Sequence, residues 1–266
     1  MVNTMNMTLE DRIKLNEAQT LLESQGLASH LNRVLGSPVE KGFRMLPDSW
    51  QEIVENATEK ALKKALEFSI HSLDGTPKDD PSNLFHKTLA ASSGAVGGAF
   101  GIFSLPVELP VSTVIMLRSI ADIARSEKAN IHLPETKLSC LEVFALGAGT
   151  ASEGNKSNYY ITRTALAQAI GEAAEYIATR GLVDEAGSVV VRLLAAIGAK
   201  FGVMVSEKVA ASAIPLVGAA SGALINTIFM DYFQTLAKGH FIIKRLERKY
   251  GQEHIQNAYQ HLCLAS

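Results

Sequence analysis

The sequence has few cysteines, with Cys140 and Cys263 the two among 266 residues. They lie far apart in apolar segments without CxxC or Cys/His spacing, so the sequence predicts neither a disulfide framework nor a zinc site. This cysteine usage fits a reducing compartment. The amino-terminal segment reaches Glu10 and Asp11 without a basic cluster followed by an apolar run, which argues against an ordinary secretory signal. We therefore expect a cytoplasmic protein.

An excess of charge of either sign is also absent. The chain has 25 Lys and Arg residues against 27 Asp and Glu residues, for a formal net charge of −2. Basic and acidic residues are scattered along the sequence, so the sequence contains no basic cluster to which a polyanion would bind. We expect no nucleic acid partner.

Familiar catalytic motifs are missing as well. The sequence has no GxSxG elbow and no GxxxxGK phosphate loop, and its GAVGGAFG stretch follows no predicted strand, as a dinucleotide fingerprint would require. These absences argue against an ordinary nucleophilic or nucleotide-dependent enzyme. We predict no cofactor, no metal and a non-enzymatic role.

Helical periodicity dominates what is present. Aromatic residues make up 6% of the chain, apolar residues recur at spacings of three and four, and no strand pair is evident. The pattern predicts an all-α multi-helix bundle without significant sheet. Predicted helices cover about 8–24, 49–73, 137–147, 159–181, 183–208 and 230–250, and Ser37 and Pro38 match an N-cap followed by a first-turn proline.

The clearest turn cluster is DGTPKDDPSN at 74–83, because it combines glycine, proline and aspartate. It suggests an amino-terminal helical cap over 1–76 and a helical body over 77–266, most simply interleaved as one unit.

Two long runs carry no charged residue: 88–107, with 20 positions, and 209–230, with 22. Each contains closely spaced small residues and a proline, and we expect each to form a glycine-rich apolar helical hairpin. Both runs reach bilayer-spanning length. Three interpretations stay open: close helix packing inside a soluble bundle, a hairpin that docks on or dips into a membrane, and a true double span.

Glu108 follows the first run and lies between Pro106 and Pro110. Proline leaves nearby backbone groups without helical partners, so this carboxylate either lines a polar pocket or sits exposed at a helix start, where the helix dipole favours an acid.

Arg118, Asp122 and Arg125 recur at spacings of four and three on the next helix, so they share one face. They predict either a structural ion-pair network or a site for an anionic head group such as phosphate, which the planar guanidinium suits.

Asp231 and His240 lie in the carboxyl-terminal helical segment, and together with Glu247 they do not fall on one helical face. His240 is a candidate metal ligand or proton carrier, but no HExxH or ExxH spacing supports a metal site. The alternative is a core histidine. Glu142 is a lone acid in an apolar helix.

Three passages carry a family resemblance: SLPVELPVSTVIMLRSIADIARSE, LPETKLSCLEVFALG, and VSEKVAASAIPLVGAASGALINTIFMDYFQTLAKGHFIIKRLERKYG. They resemble the EcsC family over about residues 50–251. The resemblance implies a bacterial helical protein, hydrophobic or membrane-associated, from a family named after a gene that neighbours an ABC transporter. It implies no settled activity and supplies no catalytic residues.

The favoured hypothesis is a non-enzymatic cytoplasmic protein, peripheral to the inner face of the cell membrane. Its expected partner is membrane lipid, a hydrophobic or anionic ligand, or a subunit of an ABC transporter. The predicted ligand-binding residues are Glu108, Arg118, Asp122, Arg125, Asp231 and His240. The alternative hypothesis is a helical metal-dependent enzyme with a buried carboxylate site.

Overall fold

The protein is an all-α bundle, as the sequence predicts. The computed structural model describes residues 7–36, 38–72, 101–147, 158–181, 188–214 and 220–265. These ranges hold ten α-helices, a short 3-10 turn at Gly101–Ser104 and no strand. The helices are α1 (Leu9–Leu22), α2 (Leu27–Leu35), α3 (Val39–Phe43), α4 (Trp50–Ser72), α5 (Leu105–Ser126), α6 (Pro134–Leu146), α7 (Asn158–Arg180), α8 (Ser188–Ala213), α9 (Ala220–Tyr250) and α10 (Gln252–Ala265).

The first helices show how local sequence sets helix ends. The Thr8 hydroxyl accepts a 3.2 Å hydrogen bond from the Asp11 amide, which caps α1 where the sequence predicts a start. Helix α3 begins one residue later than predicted, with Pro38 in the cap position. The Asn32 side chain accepts a 2.7 Å hydrogen bond from the Val39 amide, and Ser37 lies outside the described residues.

The longest helix, α9, organises the bundle. Its 31 residues span about 46 Å at the usual rise per residue. Helix α1 packs along α9, α5 packs against α4 and α9, and α8 packs against α3, α4, α6 and α7. At its carboxyl end, Lys249 and Tyr250 hydrogen-bond Asp11 at 2.6 and 2.7 Å, so the amino-terminal helix is anchored to the body.

Four phenylalanines form the centre of the core. Phe144 of α6 lies 4.9 Å from Phe201 of α8 and 5.2 Å from Phe233 of α9, measured between ring centroids. Phe229 lies 5.0 Å from Phe233. Such edge-on and tilted arrangements are the preferred geometries of buried aromatic rings.

Glycine allows the closest helix contact between α1 and α9. A Cβ atom placed on Gly239 would lie 2.7 Å from Leu22 Cγ and 3.2 Å from the Ala18 carbonyl oxygen. Helix α1 therefore rests directly on the α9 backbone at this position.

The two uncharged runs are only partly described. Residues 101–107 of the first run form the 3-10 turn and the first residues of α5, and the second run ends α8 and begins α9. Residues 73–100 and 215–219 lie outside the described residues. The predicted hairpins and the domain boundary after residue 76 therefore stay predictions.

One described helix segment, Val189–Ala213, is long and apolar enough to cross a membrane. One such helix is weak evidence for a span, because core helices of soluble proteins meet the same criterion.

Candidate functional site

Glu108 lies in the first turn of α5 and is part of a cluster from three helices. Its two carboxylate oxygens each lie 3.0 Å from Lys208 Nζ of α8. The Asn226 side chain of α9 donates a 2.9 Å hydrogen bond to Oε1. The side chains of Glu108 and Lys208 are only 10% and 6% exposed, so the carboxylate is enclosed.

The electrostatics of this cluster favour the ionised carboxylate. Burial raises the pKa of Glu108, but attraction to Lys208 and the hydrogen bonds from Asn226 and Lys208 outweigh burial, and the net pKa is lowered. The Lys208 ammonium also lies 5.1 Å from the centroid of the Phe229 ring, a cation–π arrangement. The Glu108 carboxyl group is therefore ionised at neutral pH.

The Glu108 cluster lies where the ends of three helices meet. Glu108 is at the start of α5, Lys208 is near the end of α8 and Asn226 is near the start of α9. We call this the docking end of the bundle. Both uncharged runs, 88–107 and 209–230, join the described helices here.

The outer side of α5 at the docking end is apolar. Phe103 is 73% exposed, Val107 75% and Val111 51%. Val107 and Val111 are four residues apart on α5 and lie along one side of it. Phe103 lies in the 3-10 turn just before the helix, and we call these three residues the α5 stripe. Arg118 is exposed further along α5, eleven residues and about 16 Å beyond Val107.

The predicted trio of Arg118, Asp122 and Arg125 is divided between surface and core. Asp122 and Arg125 are buried and form an ion pair with each other, whereas Arg118 is exposed. The structure thus brings two of the three together and leaves Arg118 at the surface.

Asp231 and His240 also occupy different environments. Asp231 is half-buried on α9, nine residues and about 13 Å along the helix from His240. His240 is fully buried, and its Nδ1 lies 3.1 Å from the Tyr159 hydroxyl of α7. Neither residue takes part in the Glu108 cluster.

Several site residues were missed from the sequence. Lys208 and Asn226 complete the Glu108 cluster, and Glu142 lies 3.6 Å from His240. The sequence did contain one signal for the pairing of Glu108 with Lys208. Glu108 is the first charged residue after the run 88–107, and Lys208 is the last charged residue before the run 209–230. Spacing along the chain gives no such signal for Glu142.

Within the part of the chain that the structure describes, no group of three or more His, Cys, Asp or Glu side chains is placed to hold a metal ion. The alternative hypothesis of a metal-dependent enzyme therefore gains no support from these residues.

The chain was compared with known proteins. No match was found among curated proteins or among solved structures. A family profile described as the EcsC protein family matches residues 11–246, which covers most of α1, all of α2 and α3, and nearly all of the segment that carries the resemblance. Since this match covers most of the 266 residues, the chain belongs to the EcsC protein family.

Proposed function

We propose that this protein is a non-enzymatic peripheral membrane protein that binds the inner face of the cell membrane through its docking end. The observation that carries the proposal is the exposure of the α5 stripe: Phe103, Val107 and Val111 are each at least half exposed. Contiguous exposed apolar side chains commonly mark an interaction surface.

The stripe has the chemistry for reversible insertion. Burying a large apolar side chain contributes roughly 1.5–3 kcal/mol, so three such side chains give useful but not permanent attachment after the entropic cost of binding. The sequence adds to this apolar character, because the two runs that join the docking end contain no Asp, Glu, Lys or Arg.

Arg118 supports an anionic membrane as the partner. It is exposed on the same helix as the stripe, about 16 Å from Val107 along the axis. When the stripe lies among acyl chains, a long side chain at this distance can reach towards the head groups. A guanidinium suits phosphate oxygens through its planar fork.

The membrane subunit of a transporter is an alternative partner for the apolar docking end. Liposomes separate the two partners, because they contain lipid and no protein. Binding to protein-free vesicles supports a lipid partner.

Flotation with liposomes tests the proposal. The wild-type protein should float with vesicles containing anionic lipid, and Val107→Glu/Val111→Glu should not, because each charge opposes insertion by roughly 2.5–3.5 kcal/mol at the bilayer centre. Ile161→Glu is the matched control, since Ile161 is 53% exposed on α7 and should not affect flotation.

Arg118→Leu tests the head-group contact. We expect this variant to lose the preference for anionic over neutral vesicles. A wild-type protein that stays wholly in the soluble fraction with both vesicle types, or a folded stripe variant that floats like wild type, would contradict the proposal.

A further inference from the structure

A network of polar side chains runs through the core where α6, α7 and α9 meet. Tyr159 Oη lies 3.1 Å from His240 Nδ1, and His240 Nε2 lies 3.6 Å from Glu142 Oε2. His240 is 0% exposed and Glu142 is 3% exposed. These three residues, with Arg163 and Glu247, are called the core network.

The outer part of the network is ionic and well paired. Arg163 donates hydrogen bonds of 2.7 and 3.0 Å to the two carboxylate oxygens of Glu247. It also donates a 3.2 Å hydrogen bond to the Tyr159 hydroxyl. The side chains of Arg163 and Glu247 are 12% and 10% exposed, so this part lies nearest to solvent.

The inner part is different, because its two titratable groups, Glu142 and His240, are too far apart to hydrogen-bond each other. His240 Nε2 has no hydrogen-bond partner among the described residues, and the facing Glu142 oxygen is beyond hydrogen-bond distance. Burial raises the pKa of Glu142 and lowers that of His240. Both groups therefore favour their neutral forms.

Other polar groups surround this pair. Lys244 of α9 donates a 2.8 Å hydrogen bond to Ser139 and, like Arg163, its charge opposes a proton on His240. Among the described residues, further titratable groups near the pair or its neighbours are Cys140 of α6, Arg125 of α5, Tyr160 of α7, Tyr259 and Cys263 of α10 and Glu23 after α1. A second proton on the pair would place a third cation beside Lys244 and Arg163.

We propose that Glu142 and His240 form a closed proton-binding site that holds one proton, on Glu142, and that the packing of α7 against α6 and α9 depends on this single proton. The proposal concerns the core of the bundle and is independent of membrane binding.

The proposal fixes how stability responds to pH. In the unfolded chain the ordinary pKa values are 4.5 for the glutamate and 6.5 for the histidine. Between these values the unfolded pair also holds one proton, on His240. Folding then moves a proton from one side chain to the other without net uptake or release, so this pair adds no pH dependence.

A protein that keeps only one of the two residues should have a stability that depends on pH. The slope of stability against pH should have opposite signs for Glu142 and for His240. With Glu142 alone, the folded state keeps a proton that the unfolded state loses, so stability falls as the pH rises above 4.5. With His240 alone, the unfolded state binds a proton that the folded state excludes, so stability falls as the pH drops below 6.5.

Urea unfolding between pH 4.5 and 6.5, followed by circular dichroism, tests the proposal with four proteins. The double variant Glu142→Gln/His240→Asn is the reference, since it retains every other titrating group. Relative to the double variant, the free energy of unfolding of the wild-type protein should not change with pH in this range. That of Glu142→Gln should fall as the pH is lowered, and that of His240→Asn should fall as the pH is raised. Each slope should approach about a tenfold change in the folding equilibrium constant per pH unit. Single variants with the slope of the reference, or with slopes of the same sign, would overturn the proposal.

Infrared spectroscopy gives a second test that does not require every variant to fold equally well. At pH 6.5 the difference between the wild-type and Glu142→Gln spectra should contain the carbonyl stretch of a protonated carboxyl group. Taking the difference removes the contribution of other buried carboxyl groups such as Glu207, whose pKa burial also raises. A difference spectrum without the band would overturn the proposal.

Discussion

At the scale of single residues, Glu108 and Lys208 show why a buried ion pair can specify a fold. Burial opposes charge on both side chains, and the cost is offset because each carboxylate oxygen lies 3.0 Å from the ammonium. The pair joins the start of α5 to the end of α8. A shift of either helix that separated the two side chains while both stayed buried would leave each charge without its partner.

Removing one member of this pair should cost more than removing both. Lys208→Met leaves the buried carboxylate without its cation and should destabilise the protein by about 3–5 kcal/mol. Glu108→Leu/Lys208→Met removes both charges and should be more stable than Lys208→Met by urea unfolding. Lys200→Met, at an exposed position of the same helix, should lie within about 0.5 kcal/mol of wild type. A double variant whose loss equals the sum of the two single losses would contradict the pairing.

Residue positions were predictable from sequence only where one helix or one run supplied the signal. Glu108 stood out because it follows an uncharged run and lies between two prolines. The contact of His240 with Tyr159 and Glu142 joins three helices at sequence separations of 81 and 98 residues. Such contacts follow from tertiary packing, which the spacing of residues within a helix does not report.

At the scale of helices, close backbone contact depends on particular glycines. Gly239→Ala should destabilise the protein by about 1–3 kcal/mol, because the new Cβ would meet Leu22 at 2.7 Å and overpack the contact of α1 with α9. Gly202→Ala is the matched control. Among the described residues, no atom from outside the local helix backbone lies within 4 Å of a Cβ at Gly202, and alanine there should stabilise α8 by about 0.5–1 kcal/mol.

Thermal unfolding of the two glycine variants measures this difference in sign. Equal shifts in both variants would show that helix propensity alone sets the effect. The steric account of the α1–α9 contact would then be wrong.

The long helices were predictable because each buries a continuous apolar stripe. Helix α4 has Ala57, Ala61 and Ala65 fully buried, which matches the predicted stripe over 49–73. Helices α2 and α10 were not predicted, although α10 has 14 residues, the same length as α1. For α3, the Asn32 contact to Val39 comes from the preceding helix, outside the local N-cap pattern.

At the scale of the whole molecule, the ion-pair cluster sets the proposed orientation. It brings together the starts of α5 and α9 and the end of α8, so both uncharged runs join the same end of the bundle. The sequence could give the helical class and the family, because composition and long shared phrases carry both. The sequence could not show that both uncharged runs join the docking end, since 88–107 and 209–230 lie about a hundred residues apart.

Depth-dependent quenching of a single tryptophan tests membrane binding by the α5 stripe most directly. Trp50→Phe removes the natural tryptophan, and Val107→Trp then reports the stripe while Ile161→Trp, exposed on α7, serves as the control. With anionic vesicles carrying brominated acyl chains, we expect strong quenching at position 107 and little at position 161. Equal quenching at the two positions, or none at position 107 in protein that has bound the vesicles, would contradict the account.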